Sequence, residues 1–371
     1  MSNNEAVPFN DLSRIHRPLI EQFKNELGRL VDSSSLVLGQ DVTSFEEELA
    51  IAEGSKFAVG VNNGTSAIEL ALRALDVGQG DEVITTAFTF VATCFSIIQT
   101  GAIPVLIDID PLTGLLDPAG IERAITPKTK AVVFVTLHGR VENLEQIQGI
   151  CESHNLKFVI DAAQSHLGMF NGMPQSKYCD AATLSFYPGK NLGALGEGGA
   201  VLTNSQEISD KLLLMRDWGA SEKYNHSVWG GNFRLETLQA SFLRIKLREL
   251  KNWTSERQEV AKIYRQELNS EILMNPLSES GSHVFHIFSI NSRDREGLCS
   301  SLAQKKVGYG FHYPRAIHQQ PAYKNKVLKP FVLPNSELMA NRTVSIPLFP
   351  RQTDSEINRV IEVVNSGTRA L

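Results

Sequence analysis

The sequence predicts an α/β protein, with a large domain on a mainly parallel sheet and a smaller C-terminal α+β domain. Two observations carry that expectation. Between residues 55 and 205, short apolar runs alternate with amphipathic segments, the pattern of strand–helix–strand units. From 235 to 268 the chain has no glycine or proline and reads as a long helix, followed by one strand-like and two helical segments.

The runs are FAVGV (57–61), EVITT (82–86), IPVLIDI (103–109), KAVVFVTL (130–137) and KFVID (157–161), with the shorter ATLSF (182–186) behind them. They are apolar throughout rather than alternating, which suits strands covered on both faces. In TSAIELALRAL, between the first two, Ile68, Leu72 and Leu75 share a helix face and Glu69 precedes Arg73 by one turn, a favourable pair. The helix over 235–268 is expected to leave the large domain. The expected domains are therefore 1–245 and 246–371, the N-terminal helix packing on the second. HVFHIFSI (283–290) reads as a strand with His283 and His286 on opposite faces and in no functional role; 294–306 and 353–366 read as helices.

Composition excludes several classes. A net charge of −5 gives no sequence-wide attraction to nucleic acid or an anionic membrane. No apolar run approaches membrane-spanning length, and MSNNEAVPFNDLSRIHRP lacks the basic-then-apolar pattern of a signal peptide. Cys94, Cys151, Cys179 and Cys299 are scattered without a CxxC pair, which argues against a zinc site or disulfide framework and suits the cytoplasm. His283 and His286 have no cysteine or carboxylate at ligand spacing, so no metal is expected.

The segment LSFYPGKNLGALGEGG (184–199) sets Lys190 before four glycines. It is not a P-loop, because Leu184 stands where glycine is required and Asn191 where Ser or Thr is required. NNGTSA (62–67), after FAVGV, lacks the dinucleotide fingerprint. It does join a strand to a helix, so Gly64, Thr65 and Ser66 can offer a helix N-terminus to a phosphate. Taken alone, it needs only a helix cap from Asn63 or Thr65 to explain it. In KFVIDAAQSH, Asp161 ends an apolar strand, where a carboxylate is costly unless paired and where open α/β sheets dock ligands. A buried acid, an internal lysine, a hydroxyl at Ser185 and a phosphate cup together fit pyridoxal 5′-phosphate. A lysine forms its Schiff base, an acid pairs with its pyridine nitrogen and donors hold its phosphate.

The same residues resemble the DegT/StrS-type sugar aminotransferases, a fold-type-I, pyridoxal-phosphate-dependent family acting on keto-sugars that are usually nucleotide-linked. The resemblance runs in order over nearly the whole chain. It covers GTSA (64–67), TFVAT (89–93), DAAQ (161–164), SFYPGKNLGALGEGG (185–199), RDWG (216–219), GNFRLETLQA (231–240), HYP (312–314) and IPLFP (346–350). It implies Lys190 as the Schiff-base lysine and proton shuttle, Asp161 on the pyridine nitrogen, Gln164 near the phenolic oxygen and Phe90 stacked on the ring. Gly64, Thr65, Ser66 and Ser185 match the phosphate site, Ser66 mostly through its backbone N–H. Asn232 matches an asparagine that reaches the phosphate from the partner subunit, which implies a homodimer. His312, Tyr313 and His318 match the sugar or nucleotide side of the pocket.

The implied activity moves an amino group from L-glutamate or glutamine to a nucleotide-linked keto-sugar. Tyr187 and Asn191 resemble the surroundings in members that aminate C3 of a dTDP-linked 6-deoxyhexose. A 4-keto nucleotide sugar or a cyclitol is the alternative acceptor. A sugar dehydratase of the same fold is a rival reading, but members of that branch have histidine where this chain has Lys190, so the lysine argues against it. A non-catalytic pyridoxal-phosphate-binding regulator is the alternative of another class. The chain departs from the family pattern at Thr136-Leu137-His138-Gly139, where His-x-Tyr-Gly is common. It departs again at Ile160, where Glu is usual, and in GMPQSKYCD (172–180), which lacks the usual glycines.

Overall fold

A computed structural model describes residues 6–273, 276–324 and 332–368. The central sheet has seven strands: β1 Phe57–Val61, β2 Glu82–Thr86, β3 Ile103–Ile107, β4 Thr129–Val135, β5 Lys157–Asp161, β6 Ala181–Ser185 and β7 Gly199–Thr203. Their order is β1–β7–β6–β5–β4–β2–β3. β7 runs antiparallel to both its neighbours, and the other pairings are parallel.

The unbroken apolar runs are explained by two cores, one on each face. Val132, Phe134, Phe158, Ile160, Ala182 and Leu184 join one with Phe45, Leu49 and Ile147. Their sequence neighbours Ala131, Val133, Val159 and Ala181 join the other with Ile68, Leu72, Ile97 and Leu212. Side chains alternate in direction along a strand, so burying both faces demands apolar residues at every position. Ile68, Leu72 and Leu75 all face the second core from helix α1, Gly64–Ala74, where the Glu69–Arg73 pair closes at 2.8 Å. Helix α2, Val91–Gln99, follows β2.

Three differences from the sequence expectation bear on the site. β7 is a further strand, concealed in sequence because it opens on a run of glycines. The helix expected over 235–268 is two, α3 Thr237–Leu247 and α4 Leu250–Glu267. At the break Glu249 N–H donates to the Lys246 carbonyl, a tighter i→i+3 bond. Lys246 is fully buried there, its ammonium donating to the Gly193 carbonyl and meeting His16 Nε2 at 3.0 Å. Finally, HVFHIFSI is not one strand. Phe285 takes a positive φ of 46°, separating the short Ser282–His283 pairing from β8, Phe288–Asn291.

β8 pairs antiparallel with β9, Thr343–Ile346. A third core gathers Val260, Tyr264, Ile290, Leu298, Val344 and Val360 around it, together with Val7. Val7 bridges Val307, while Ile15, Leu19 and Phe23 pack on Phe242, Ile245 and Trp253. The N-terminal segment thus straps α3 and α4 to the C-terminal core.

Candidate active site

The C-terminal ends of β5 and β6 and the N-termini of α1 and α2 open onto one cavity of about 1010 Å³. This is where a parallel sheet presents backbone ends and helix N-termini to a ligand.

Asp161 ends β5 and is buried. Its Oδ2 accepts from Thr93 Oγ1 at 2.7 Å, and its Oδ1 from the Ala163 N–H at 3.2 Å. Thr93 in turn lies 3.1 Å from Thr89 Oγ1. Burial pushes the Asp161 carboxyl upward, and these bonds and the charge of Lys190 oppose it. The result is a desolvated carboxylate held in one orientation on the cavity wall, suited to pair with a cation.

Lys190 sits on the segment between β6 and β7, which folds back on itself. Phe186 N–H donates to Gly198 O and Ala194 N–H to Phe186 O, each at 2.7 Å, and Lys190 N–H to Tyr187 O at 2.8 Å. Burial brings the Lys190 ammonium down to about 8 against the opposing pull of Asp161. Only the neutral amine attacks an electrophile, so carbamylation of Lys190 by cyanate in cofactor-free protein should have its midpoint near pH 8. Peptide mass spectrometry follows it; a midpoint near the ordinary 10.5 would contradict the desolvation.

At the head of α1, Gly64 lies against Ser185, where a Cβ would meet Ser185 Cβ at 2.7 Å. Asn63 caps the helix, its Oδ1 accepting from the Ser66 N–H at 2.9 Å. The Ser66 N–H, expected to serve the phosphate, is here engaged by the cap. Gly64, Thr65, Ser66 and Ser185 all line the cavity, bringing the first turn of the helix, with its N–H groups unpaired within the helix, and three hydroxyl-bearing side chains to it.

Phe90 precedes α2 and is 52% exposed, facing the cavity rather than a core. Its ring centroid is 5.4 Å from that of Tyr313. Gln164 Oε1 accepts from the His138 N–H at 2.6 Å, and its Nε2 donates to Tyr313 Oη at 3.0 Å. Tyr187 is exposed on the cavity wall, and the half-buried His312 also lines it, its Nδ1 2.8 Å from Ser345 Oγ. Gly64, Thr65, Ser66, Phe90, Asp161, Gln164, Ser185, Tyr187, Lys190, His312 and Tyr313 therefore share one cavity.

The family model of the DegT/DnrJ/EryC1/StrS aminotransferases matches residues 18–365. The chain belongs to that aminotransferase family. The pleiotropic regulatory protein of Geobacillus stearothermophilus is 38% identical over 96% of this chain and 97% of its own length. The dTDP-3-amino-3,6-dideoxy-alpha-D-galactopyranose transaminase of Aneurinibacillus thermoaerophilus is 38% identical over 97% of this chain and 99% of its own. Among solved structures, DesV of S. venezuelae in complex with a ketimine intermediate superposes with a TM-score of 0.96 at 34% identity. That match covers 99% of this chain and 100% of DesV.

Three expected residues lie outside this aminotransferase's own cavity. Asn191 is buried behind Lys190, where its Nδ2 donates to Val284 O at 3.0 Å and its Oδ1 meets His286 Nδ1 at 3.3 Å. Lys190 lines the cavity, whereas these two contacts tie the Asn191 amide to the segment around Val284 and His286. His318 is also turned away, its Nε2 2.8 Å from Glu337. Asn232 is exposed on the outer surface, its carbonyl accepting from Asn62 Nδ2 at 3.4 Å.

Conversely, His286, expected to have no role, lines the cavity of the aminotransferase, and so does Thr93. The break at Phe285 turns His286 inward, and no periodicity announces a break of that kind. Thr93 was legible only as part of TFVAT. Among the described residues no group of three or more His, Cys, Asp or Glu is arranged to hold a metal ion. Nor is any described helix long and apolar enough to cross a membrane.

Proposed function

We propose that this aminotransferase uses pyridoxal 5′-phosphate to move an amino group from L-glutamate or glutamine to a nucleotide-linked keto-sugar, first among them a dTDP-linked 3-keto-6-deoxyhexose. The observation that carries the reading is the single cavity walled by Lys190, Asp161 and the Gly64–Ser185 contact. These residues fit the cofactor. The Gly64 position is a cradle that a Cβ would fill, and the donor set is neutral N–H and O–H groups at a helix N-terminus, suited to a dianionic phosphate. The acceptor class is supported by the C3 transaminase named above, at 38% identity.

When bound, the cofactor supplies an electron sink that stabilises negative charge at the carbon losing its proton. Lys190 would hold it covalently and, once released as a neutral amine, take the proton from the amino donor and return it to the acceptor side. Asp161 would hold a proton on the ring nitrogen, fixed for that task by Thr93 and Ala163. Phe90 would cover one ring face and Gln164 would sit by the phenolic oxygen. In this reading the domains are 1–245 and 246–371, and Ile346 and Leu348 of the second line the same cavity as Lys190. The protein would work in the cytoplasm as a homodimer, Asn232 reaching the phosphate site of the second copy. Tyr224 and Trp229, 86% and 95% exposed on the same segment, support that contact surface.

A regulator that binds the cofactor without turning it over is the second reading, favoured by the name of the Geobacillus relative. Adding L-glutamate to the cofactor-loaded protein separates the two. Catalysis bleaches the visible absorbance and releases 2-oxoglutarate, and a panel of 3-keto and 4-keto nucleotide sugars then gains nitrogen by mass. Colour that no amino donor bleaches would overturn the enzymatic reading. Gly64→Ala is expected to raise the dissociation constant for pyridoxal 5′-phosphate by about tenfold or more, the loss of one charge-assisted hydrogen bond. Absorbance titration measures it; unchanged affinity would remove the phosphate from this cup.

A further inference from the structure

We propose that His286 is a specificity-determining residue that accepts a hydrogen bond from a hydroxyl of the acceptor sugar, with Asn191 as its positioning residue. The inference rests on the keto-sugar reading above. Its basis is a directed chain of hydrogen bonds that fixes which ring nitrogen can serve. The Val284 carbonyl can only accept, so the Asn191 group facing it at 3.0 Å is the amino group, Nδ2. Asn191 Oδ1 is then the end that faces His286 Nδ1 at 3.3 Å, and an oxygen acceptor there requires the proton on Nδ1.

The ring is neutral. Burial holds it well below the ordinary histidine range, and the charged or titratable groups facing it, Lys190, Arg257, His312 and His166, all push the same way. Nε2 therefore carries a lone pair, and it takes no hydrogen bond from the described residues. Since His286 lines the cavity beside Lys190, this lone pair meets the ligand. A neutral acceptor suits an O–H donor and repels a carboxylate oxygen. Among the described residues that line the cavity there is Lys190 but no arginine. The nitrogen thus recognises the polyol substrate rather than the carboxylates of the amino donor.

The two half-reactions, measured separately in single turnover on the cofactor-loaded protein, test this. The probes are L-glutamate and, in the reverse direction, dTDP-3-amino-3,6-dideoxy-α-D-galactopyranose. His286→Leu is expected to lower kcat/KM for the amino sugar by about tenfold or more, as for a buried hydroxyl left unpaired, and that for glutamate by less than about threefold. Asn191→Asp offers a carboxylate to Nδ1 and should charge the ring. The amino-sugar rate should then fall as the pH drops below about 7 and recover above it, while glutamate shows no such step. Equal losses in both half-reactions, or no loss for the amino sugar, would overturn the assignment. A wild-type protein that bleaches with glutamate but with neither dTDP- nor UDP-linked 3-amino sugars would sink both the sugar reading and this inference. One that bleaches with nothing would sink the aminotransfer reading itself.

Discussion

Lys190→Ala is expected to abolish aminotransfer, with single-turnover rates falling by at least ~10³-fold. In the proposed reading one side chain carries two duties, covalent attachment and proton transfer, and among the described residues lining the cavity there is no second lysine. Its neighbours His286 and His312 are both held below the ordinary histidine range chiefly by burial, which the substitution leaves in place, so neither is placed to replace a strong base. The protein should remain folded, because a desolvated cation near pH 7 is a burden to the native state rather than a support. Two measurements check the result. Borohydride should no longer link the cofactor to the chain, and glutamate should release no 2-oxoglutarate. Full activity with any keto-sugar would refute the assignment of Lys190.

Asp161→Asn should separate function from stability. The amide keeps the size of the carboxylate and loses its charge, so turnover should fall about 10²-fold or more, as when one partner of a buried charge pair is removed. The cofactor-free protein should gain stability. Burial raises the Asp161 pKa above its ordinary 3.8, so the folded state holds the proton more tightly than the unfolded chain. Above the folded pKa the ionised carboxylate destabilises the fold by its full amount, and this penalty fades as the pH falls toward 4. The variant should therefore melt higher than the wild type by about 2 °C or more at pH 8, with the gap closing in acid. Calorimetry of the two apo-proteins at pH 4.5 and pH 8 would show it. A gap independent of pH would mean that Asp161 is not the titrating group.

The sheet was legible because its physics is local. A strand buried on both faces must be apolar at each position, and runs such as KAVVFVTL and KFVID say so directly. The Lys190 and Asp161 pair was legible because each breaks that rule: a charge in or beside an apolar run. Glycines hid β7, since the same residues that permit a tight loop weaken the strand signal. The directions of Asn191 and His318 were not legible. Each is set by a partner far along the chain, Val284 and Glu337 respectively, or by which side of a loop a side chain leaves. The Ser66 N–H illustrates a different limit. Asn63 and a phosphate compete for the same donor, and sequence lists the competitors without ranking them.

The return of β7 beside β6 has a consequence for how this scaffold can change. Gly199 pairs with Ser185, so the two ends of the Lys190 segment are clamped together at its base. The Gly193 carbonyl is tied to Lys246 and the Leu195 N–H to Gln239, which hold the far side to α3. The Lys190 side chain is thus a tip carried on a fixed mount. Exchanging it asks no re-registering of the sheet, so if Lys190 has the proposed role, the chemistry can be altered there with the scaffold unchanged. The same property makes position 190 the natural point of entry for an unnatural side chain, with the rest of the cradle left intact.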